Sequence, residues 1–154
     1  MSAFRIVPLN MALHHLETVT DWLTNAFGAD NSRPFFATIL RASLSEAEFP
    51  LTWVALEGDR VAGTVGLWRC DLISRQDLFP WLAALYVDES YRGRGLSGKL
   101  QQTVIAECQR RGYPDLYLYS ECAEYYERFG WRYIGDALDY PDKSVRLYHR
   151  HLCA

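Results

Sequence analysis

The stretch that decides the fold is LYVDESYRGRGLSGK, residues 85–99. An apolar run ends at Val87, a short polar segment follows, and a glycine-rich turn then leads into a helical pattern. Glycine lets a backbone approach an anion closely, and the start of a helix offers unpaired N–H groups and the positive end of its dipole. The sequence therefore predicts an anion-binding turn between a strand and a helix, over residues 92–98.

Three kinds of phosphate-binding pattern fit this turn at first sight. The spacing of Gly93, Gly95 and Gly98 matches the dinucleotide fingerprint, and Gly98 followed by Lys99 completes most of a P-loop. The third pattern is Gln/Arg-x-x-Gly-x-Gly/Ala, which holds the pyrophosphate of acyl-coenzyme A and fits residues 92–97. All three depend on the same arrangement of strand, turn and helix, so the surrounding sequence has to separate them.

The surrounding sequence argues against two of the patterns. A P-loop needs Ser or Thr after its lysine to hold magnesium, and Leu100 occupies that position. A dinucleotide fold has its fingerprint at the first strand–helix turn of a parallel sheet, whereas 91 residues precede this turn. A turn without any ligand is the remaining alternative. Gly95 and Gly98 argue against it, because glycine near a helix start costs stability and needs a reason such as close approach to a ligand.

Outside the turn, the spacing of apolar residues predicts further strands and helices. Gly58 and Asp59 are a two-residue hairpin signal, and the near-continuous apolar run Trp81–Val87 is typical of a central strand. Hairpins combined with one strand–helix–strand crossover predict an α+β fold with a mixed, mostly antiparallel sheet. The predicted elements are strand 4–7, a helix capped by Asn10 and ending at 27, helix 34–44, strands 51–57, 60–69 and 81–87, helix 95–111, strand 116–119, short helix 121–129, and strands 131–134 and 144–148.

Length and composition indicate one globular domain, residues 1–154. Apolar residues make up 49% of the chain and charged residues 23%, which is typical of a globular protein. The net charge of −3 argues against a nucleic-acid partner, since such proteins need a basic face. The apolar run at 81–87 is too short to cross a membrane. We therefore expect neither nucleic acid nor membrane as a partner.

The cysteines give no sign of a metal site or a disulfide framework. Cys70, Cys108, Cys122 and Cys153 form no C-x-x-C pair, and the four histidines show no zinc-ligand spacing. The first ten residues lack the apolar core of a signal peptide. We therefore expect reduced thiols in a cytoplasmic protein.

A second motif lies further along the chain. Residues 125–131 read YYERFGW, and with LYVDESYRGRGLS at 85–97 they resemble the GNAT superfamily of acyl-CoA-dependent N-acyltransferases. In that family a Phe-Tyr-x-x-x-Gly-Phe segment follows the pyrophosphate-binding turn. The order of predicted elements fits the family across most of the chain.

The resemblance implies an acetyl-CoA cosubstrate, no metal, and a site built from both motifs. Two central parallel strands would splay apart, helices would cover both faces of the sheet, and backbone groups of Leu85 and Val87 would bond the pantetheine arm. Tyr126 would be the catalytic general acid facing the thioester sulfur, with Tyr125 in a packing role. The implied cofactor-binding residues are Leu85, Tyr86, Val87, Arg92, Gly93, Arg94, Gly95, Leu96, Ser97 and Gly98.

The chain departs from the family pattern in three places, one of which is Ser120 and Glu121 after the second splayed strand, where relatives often carry Asn. Ser97 stands where relatives carry Gly or Ala, which is a small change. Many relatives carry a glutamate base on the strand before the turn, whereas residues 81–87 contain none, so the base stays open. No cysteine has a context that marks it as a nucleophile, and direct attack of the amine in a ternary complex is the prediction.

The acceptor and the assembly stay open at this point. A small-molecule amine and a peptide amine are both possible acceptors, and both a monomer and a homodimer are possible. Asp71 and Asp77, in the polar loop at 71–80, are interpreted as solvated charges, with attraction of an amine as the alternative. A non-catalytic acyl-CoA-binding sensor is the rival function, because it would need residues 92–98 but not Tyr126.

Overall fold

Seven strands and three α-helices make up the part of the chain that the computed structural model describes, residues 3–29, 31–45 and 48–152. The sheet is mixed, with its strands in the order β1-β2-β3-β4-β5-β7-β6 once the elements are numbered along the chain. The elements are β1 Arg5–Pro8, α1 Leu16–Phe27, α2 Arg33–Ala42, β2 Leu51–Glu57, β3 Arg60–Trp68, β4 Trp81–Val87, α3 Leu96–Arg111, β5 Asp115–Ser120, β6 Arg132–Asp139 and β7 Lys143–His151.

The strands β4 and β5 form the one parallel pair of this sheet, and they separate soon after they begin. Trp81 opposite Tyr117 is the single register pair between these two fully described strands. Further along β4, Ala84 has a φ of 54° and the register with β3 shifts beside it, which marks a β-bulge. All other neighbouring strands are antiparallel, so the predicted mixed, mostly antiparallel sheet with a central splayed pair is confirmed.

Helices cover both faces of the sheet, as predicted. Alternate residues of β2 show the two faces: Ala55 lies in the core under α3, whereas Val54 lies in the core under α1 and α2. Leu100 of α3 and Leu23 of α1 are almost fully buried in these two cores. Burial of one such side chain contributes about 1.5–3 kcal/mol, so the helices hold the diverging strands firmly from both sides.

The first helix begins later than predicted. Leu9–Met11 and Leu13–His15 form two separate 3-10 turns, and α1 begins only at Leu16, without a cap from Asn10. Leu9 and Ala12 are buried in the core, and Ala12 has a φ of −144°, so the chain bends there to bury them instead of continuing as a helix. The ends of the predicted apolar stripe, Leu13 and Phe27, are consequently 55% exposed.

The predicted short helix at 121–129 is also wrong in its length. Only Tyr126–Phe129 forms a helical turn, of the 3-10 type, and it ends at Gly130 in the left-handed conformation. The hydroxyl of Ser120 accepts a hydrogen bond from the N–H of Cys122 at 3.0 Å, which turns the chain at the end of β5 before any helix starts. The strand pair after this turn is as predicted, but β6 and β7 are longer.

Two expectations concern membranes and cysteines. None of the helices in the described ranges is long and apolar enough to cross a membrane. Cys70, Cys108 and Cys122 are free thiols, and Cys153 lies outside the described residues.

Candidate active site

The glycine-rich turn is an open loop at the start of α3. Gly93 and Gly95 have left-handed backbones, with φ values of 77° and 76°, which glycine adopts without strain. A Cβ atom added at either position would have no heavy atom within 4 Å, so the space beside the backbone is open. No side chain caps the start of α3, which leaves its first N–H groups free for an anion.

Gly98 is needed for a different reason than the sequence suggested. A Cβ atom there would lie 3.1 Å from the Phe129 ring, which packs directly against the first turn of α3. Close packing between the two motifs, and not only approach to a ligand, therefore explains this glycine.

A hydrogen-bond network ties the turn to the second motif. The Tyr125 hydroxyl donates to Ser97 Oγ at 2.7 Å, and Gln101 Nε2 donates to the same oxygen at 3.2 Å. Trp131 Nε1 in turn donates to Gln101 Oε1 at 2.9 Å, with both side chains buried. Tyr125 is thus more than a packing residue, since its hydroxyl holds the segment next to Tyr126 on the turn.

The two arginines of the turn point to different partners. Arg92 Nε donates to the Val87 carbonyl at 3.0 Å, and its guanidinium lies 5.6 Å from the centre of the Tyr86 ring. Arg94 forms an ion pair with Glu57 at 2.6 Å. Arg92 therefore stands at the open end of β4, whereas Arg94 is held on the end of β2.

Tyr126 lines the gap between β4 and β5. Its ring packs on those of Tyr125, Trp131 and Tyr148, with centroids 4.9, 6.4 and 5.8 Å away. Its hydroxyl has no hydrogen-bond partner within the described ranges, and the residue faces the cleft. Burial raises the pKa of this phenol above its ordinary value. The hydroxyl is therefore a protonated, unengaged donor at neutral pH.

A cleft of about 860 Å³ opens where the two strands diverge. Residues 82–85 of β4 and 118–120 of β5 line its base, and residues of α1, α2 and the loop after β3 line its mouth. The cleft lies between that loop and the first two helices. The aromatic residues of its lining are Phe27, Phe35, Phe36, Phe49, Trp68, Tyr119, Tyr126 and Tyr140.

Acidic side chains line this cleft, and the sequence pointed to only one of them: Asp71 was named, with attraction of an amine as the alternative to a solvated charge, whereas Asp139 was missed. Asp71 is half-buried in the cleft wall and is not a solvated loop charge, whereas Asp77 is exposed and pairs with Arg75 at 2.8 Å. Burial first, and then the charge of Asp139, raise the pKa of Asp71 to about 7. Asp139 comes from β6, and no local pattern connects it with a loop before β4.

Possible metal ligands meet in two places within the described ranges, and both lie outside the residues that line the cleft. Each place offers three side chains whose ligand atoms lie within 4.8 Å of one another. The two groups are His14, His15 and Asp59, and Asp115, His149 and His151. Neither group touches the turn at 92–98 or Tyr126.

Comparison with known proteins agrees with this geometry. A GNAT-family acetyltransferase from Staphylococcus aureus Mu50 is 23% identical, with a TM-score of 0.72 over 98% of this chain and 100% of that one. An aminoglycoside 6'-N-acetyltransferase complexed with coenzyme A is 15% identical, with a TM-score of 0.73 over 97% and 98%. NAA60 of Arabidopsis thaliana, in complex with acetyl-CoA, is 16% identical, with a TM-score of 0.72 over 97% and 99%.

These structures share the fold, while sequence comparison gives the family. No curated protein sequence matches the chain significantly. The sequence profile of the Acetyltransferase (GNAT) family matches residues 16–131, which include both motifs and most of the chain. The chain belongs to the GNAT acetyltransferase family.

Proposed function

We propose that the protein transfers an acetyl group from acetyl-CoA to an amine by direct attack in a ternary complex. The observation that carries the proposal is the meeting of both motifs at the β4–β5 gap. The turn at 92–98 offers free N–H donors, and Tyr126 faces the adjoining cleft. Solved relatives that hold coenzyme A or acetyl-CoA support the same cosubstrate.

The described residues fit such a cosubstrate. The backbone from Gly93 to Gly98 would bind the pyrophosphate, and Leu85 and Val87 would bond the pantetheine arm as a neighbouring strand would. Arg92 would leave the Val87 carbonyl and contact a phosphate. Tyr86, which the resemblance also implies as a cofactor-binding residue, would contribute its backbone beside the pantetheine arm, while its ring packs on Trp22 of α1 with centroids 5.3 Å apart.

The role of Tyr126 in this proposal is hydrogen-bond donation to the leaving sulfur. A thiolate has a pKa near 8.5 by analogy with cysteine, and an ordinary phenol has one near 10. Burial raises the pKa of Tyr126 further, so complete proton transfer from the phenol is unfavourable. A hydrogen bond that strengthens as negative charge develops on sulfur stabilises the transition state without that transfer.

Direct transfer is favoured over an acyl-cysteine intermediate. Burial raises the pKa of Cys108 to about 12, so its thiolate is absent at neutral pH. Cys70 and Cys122 do line the cleft, which makes them the residues to test. We expect Cys70→Ala and Cys122→Ala to keep kcat within about twofold. In direct transfer the rate enhancement comes from positioning the amine next to the thioester, and no cysteine takes part.

The test of the function is release of coenzyme A thiol from acetyl-CoA with a panel of amines. Turnover should depend on both substrates, and initial-rate patterns should be those of a ternary complex. Coenzyme A alone should raise the Tm, because it binds only the folded chain. A protein that binds coenzyme A and acetylates no amine would instead be the acyl-CoA sensor.

A further inference from the structure

A well-anchored loop carries Asp71 into the cleft. Leu72 beside it is fully buried in a core cluster with Leu147 of β7. The Ser74 hydroxyl donates a hydrogen bond to the Leu138 carbonyl of β6. These contacts hold the loop against β6, so that Asp71 faces the residue after Leu138 in the wall of the same cleft.

That residue is Asp139, and neither carboxylate has a cationic partner within the described ranges. Arg69 is the basic side chain of the cleft lining, and its guanidinium lies 5.0 Å from the centre of the Phe49 ring. The third carboxylate of the lining, Glu121, already forms an ion pair with a lysine of β7 at 2.8 Å. Asp71 and Asp139 are therefore two acids in one cleft to which no other described residue supplies a counter-ion.

Tyr119 shows how closely these acids converge. Burial first, and then the negative charges of Asp71, Asp139 and Glu121, raise the pKa of its phenol. Its hydroxyl consequently stays protonated in the middle of the acidic part of the cleft. A cation that enters this part of the cleft would meet two carboxylates and a neutral hydroxyl.

The mouth of the cleft is apolar and aromatic. Phe27 and Phe35 are 55% and 60% exposed at this mouth. Exposing so much apolar ring surface to water costs free energy, which a bound apolar group would recover. Tyr140, which follows Asp139 in the sequence, also lines the cleft. Aromatic faces bind both apolar groups and cations, so the mouth suits the body of an amine whose charged end reaches the acids.

We propose that Asp71, supported by Asp139, binds the ammonium group of the acceptor and takes its proton, and that the acceptor is a primary amine with an apolar body. The inference rests on the proposed acetyl transfer and names the base and the acceptor class for that same cleft. Asp71 stands on the loop after β3, a position that the glutamate of the family pattern on β4 does not occupy.

The proton balance is complete without a further reactant. One ammonium proton passes to Asp71 and then to solvent, and the free amine attacks the thioester carbonyl. The C–N bond forms, the C–S bond breaks, and the second proton lost by the nitrogen ends on the sulfur. The products are an N-substituted acetamide, coenzyme A thiol and one proton released to solvent.

The environment of Asp71 suits a proton acceptor. An alkylammonium has a pKa of about 10, so transfer to an ordinary carboxylate of pKa 3.9 is unfavourable by about 10⁶-fold. For Asp71, whose pKa is about 7, the same transfer is unfavourable by only about 10³-fold. Asp139 is the charge that raises the pKa of Asp71. The other charged or titratable groups that line the cleft are Arg69, Cys70, Tyr119, Glu121, Cys122, Tyr126 and Tyr140.

The test uses 2-phenylethylamine as the acceptor, with two readouts. Its binding to the protein saturated with coenzyme A is followed by Tm, and acetylation is followed by thiol release from about pH 5.5 to about pH 9. We expect kcat/KM to rise with pH through about 7, the pKa of Asp71. Asp71→Asn should lose that rise, lower kcat/KM by about 10²-fold and lose the Tm shift, with coenzyme A affinity unchanged.

Matched variants separate this role from a structural one. Asp77→Asn, in the same loop but exposed, should keep kcat/KM within about twofold. Asp139→Asn should move the rise in kcat/KM to lower pH, because it removes a negative charge that raises the pKa of Asp71. Phenylalanine, the same body with an added carboxylate, should be at least about tenfold poorer, since like charges repel in the cleft.

Two results would overturn the inference. One is an Asp71→Asn variant that acetylates 2-phenylethylamine as the wild type does, with the same pH profile. The other is a wild-type protein in which the amine gives no Tm shift while a polyamine without an apolar body, such as spermidine, does. A Tm shift from 2-phenylethylamine without thiol release would leave this binding site in place and contradict acetyl transfer instead.

Discussion

The two ends of the cleft differ in how their functional groups are built. The proposed cosubstrate end consists of residues 92–98 and Tyr126, and its donors are mostly backbone N–H groups at the start of a helix. The proposed acceptor end consists of Asp71, Tyr119 and Asp139, whose side chains come from a loop and two strands. Backbone donors fix an anion whatever the neighbouring side chains are, whereas side chains select the acceptor. The difference indicates that the proposed cosubstrate end depends on backbone geometry, whereas the proposed acceptor end depends on the side chains that this sequence carries.

The largest expected effect tests whether Tyr126 belongs to the chemistry. Tyr126→Phe should lower kcat by about 10²-fold, because it removes the donor to the leaving sulfur and keeps the ring. Coenzyme A affinity should not change. Since the pKa of the phenol is raised above its ordinary value, the loss should be the same at every pH below about 10.

Tyr125→Phe is the matched control for that variant. It removes a hydroxyl that bonds Ser97 at 2.7 Å and does not line the cleft. It should weaken coenzyme A binding slightly and leave kcat nearly unchanged. If both variants lost kcat equally, the loss would come from the packing of the segment, and Tyr126 would have no catalytic role of its own.

The second prediction concerns the glycine-rich turn at residues 92–98. A glycine at the other end of α3 provides the control. Gly95 and Gly112 lie at opposite ends of this helix, with φ values of 76° and 83°, and a Cβ atom at either has no neighbour within 4 Å. Alanine in a left-handed conformation costs about 1–2 kcal/mol, so both alanine variants should lose similar stability. Only Gly95→Ala should also weaken coenzyme A, by about tenfold, as measured by titration calorimetry.

The third prediction separates the two arginines. Arg92→Ala should weaken coenzyme A by about fivefold, and this loss should shrink at high salt, because a solvent-exposed ion pair is worth little and is screened. Pantetheine, which lacks the pyrophosphate, should bind both proteins equally. Arg94→Ala should have a smaller effect on coenzyme A, since Arg94 already pairs with Glu57. Equal weakening of pantetheine would mean that Arg92 acts on folding.

The smallest expected effect is on stability at the acceptor end. The pKa of Asp71 is raised from 3.8 to about 7 in the folded protein, so between these two values the folded state holds a proton that the unfolded state has lost. The free energy of unfolding therefore falls as pH rises from about 4 to about 7 and stays constant above that. Asp71→Asn should therefore raise Tm at pH 8 by a few degrees. For a chain of this size, each kcal/mol gained in the free energy of unfolding raises Tm by about 2–4 °C. The gain should shrink towards pH 5. A variant that is less stable than wild type at pH 8 would contradict the unpaired carboxylate.

The sequence was informative where function depends on local backbone geometry. The strand at 81–87, the helix to Arg111 and the left-handed Gly112 at its end all follow from apolar spacing and glycine placement, and the structure confirms them. The splayed strand pair was predicted from the resemblance to the family and not from the spacing of residues. Tyr126 faces the cleft as expected, although its segment is a single 3-10 turn and not a longer helix.

The acceptor end was not predictable because its residues meet only through the sheet topology. Asp71 and Asp139 are far apart in sequence, and β6 lies beyond β7 at the sheet edge, so no local pattern joins them. The predicted start of the first helix was wrong for a similar reason. Burial of Leu9 and Ala12 in the core bends the chain, and such tertiary demands outweigh the helical spacing of Leu13 and Leu16.

The most direct measurement is a crystal structure of the protein with coenzyme A and 2-phenylethylamine. We expect the pyrophosphate on the N–H groups of residues 93–98, the sulfur within hydrogen-bond reach of Tyr126 Oη, and the ammonium against Asp71. A pyrophosphate bound away from the turn would contradict the cosubstrate end. If the sulfur lay at Tyr126 but the ammonium lay on the far side of the cleft from Asp71, the proposed role of Asp71 would be wrong and that of Tyr126 would stand.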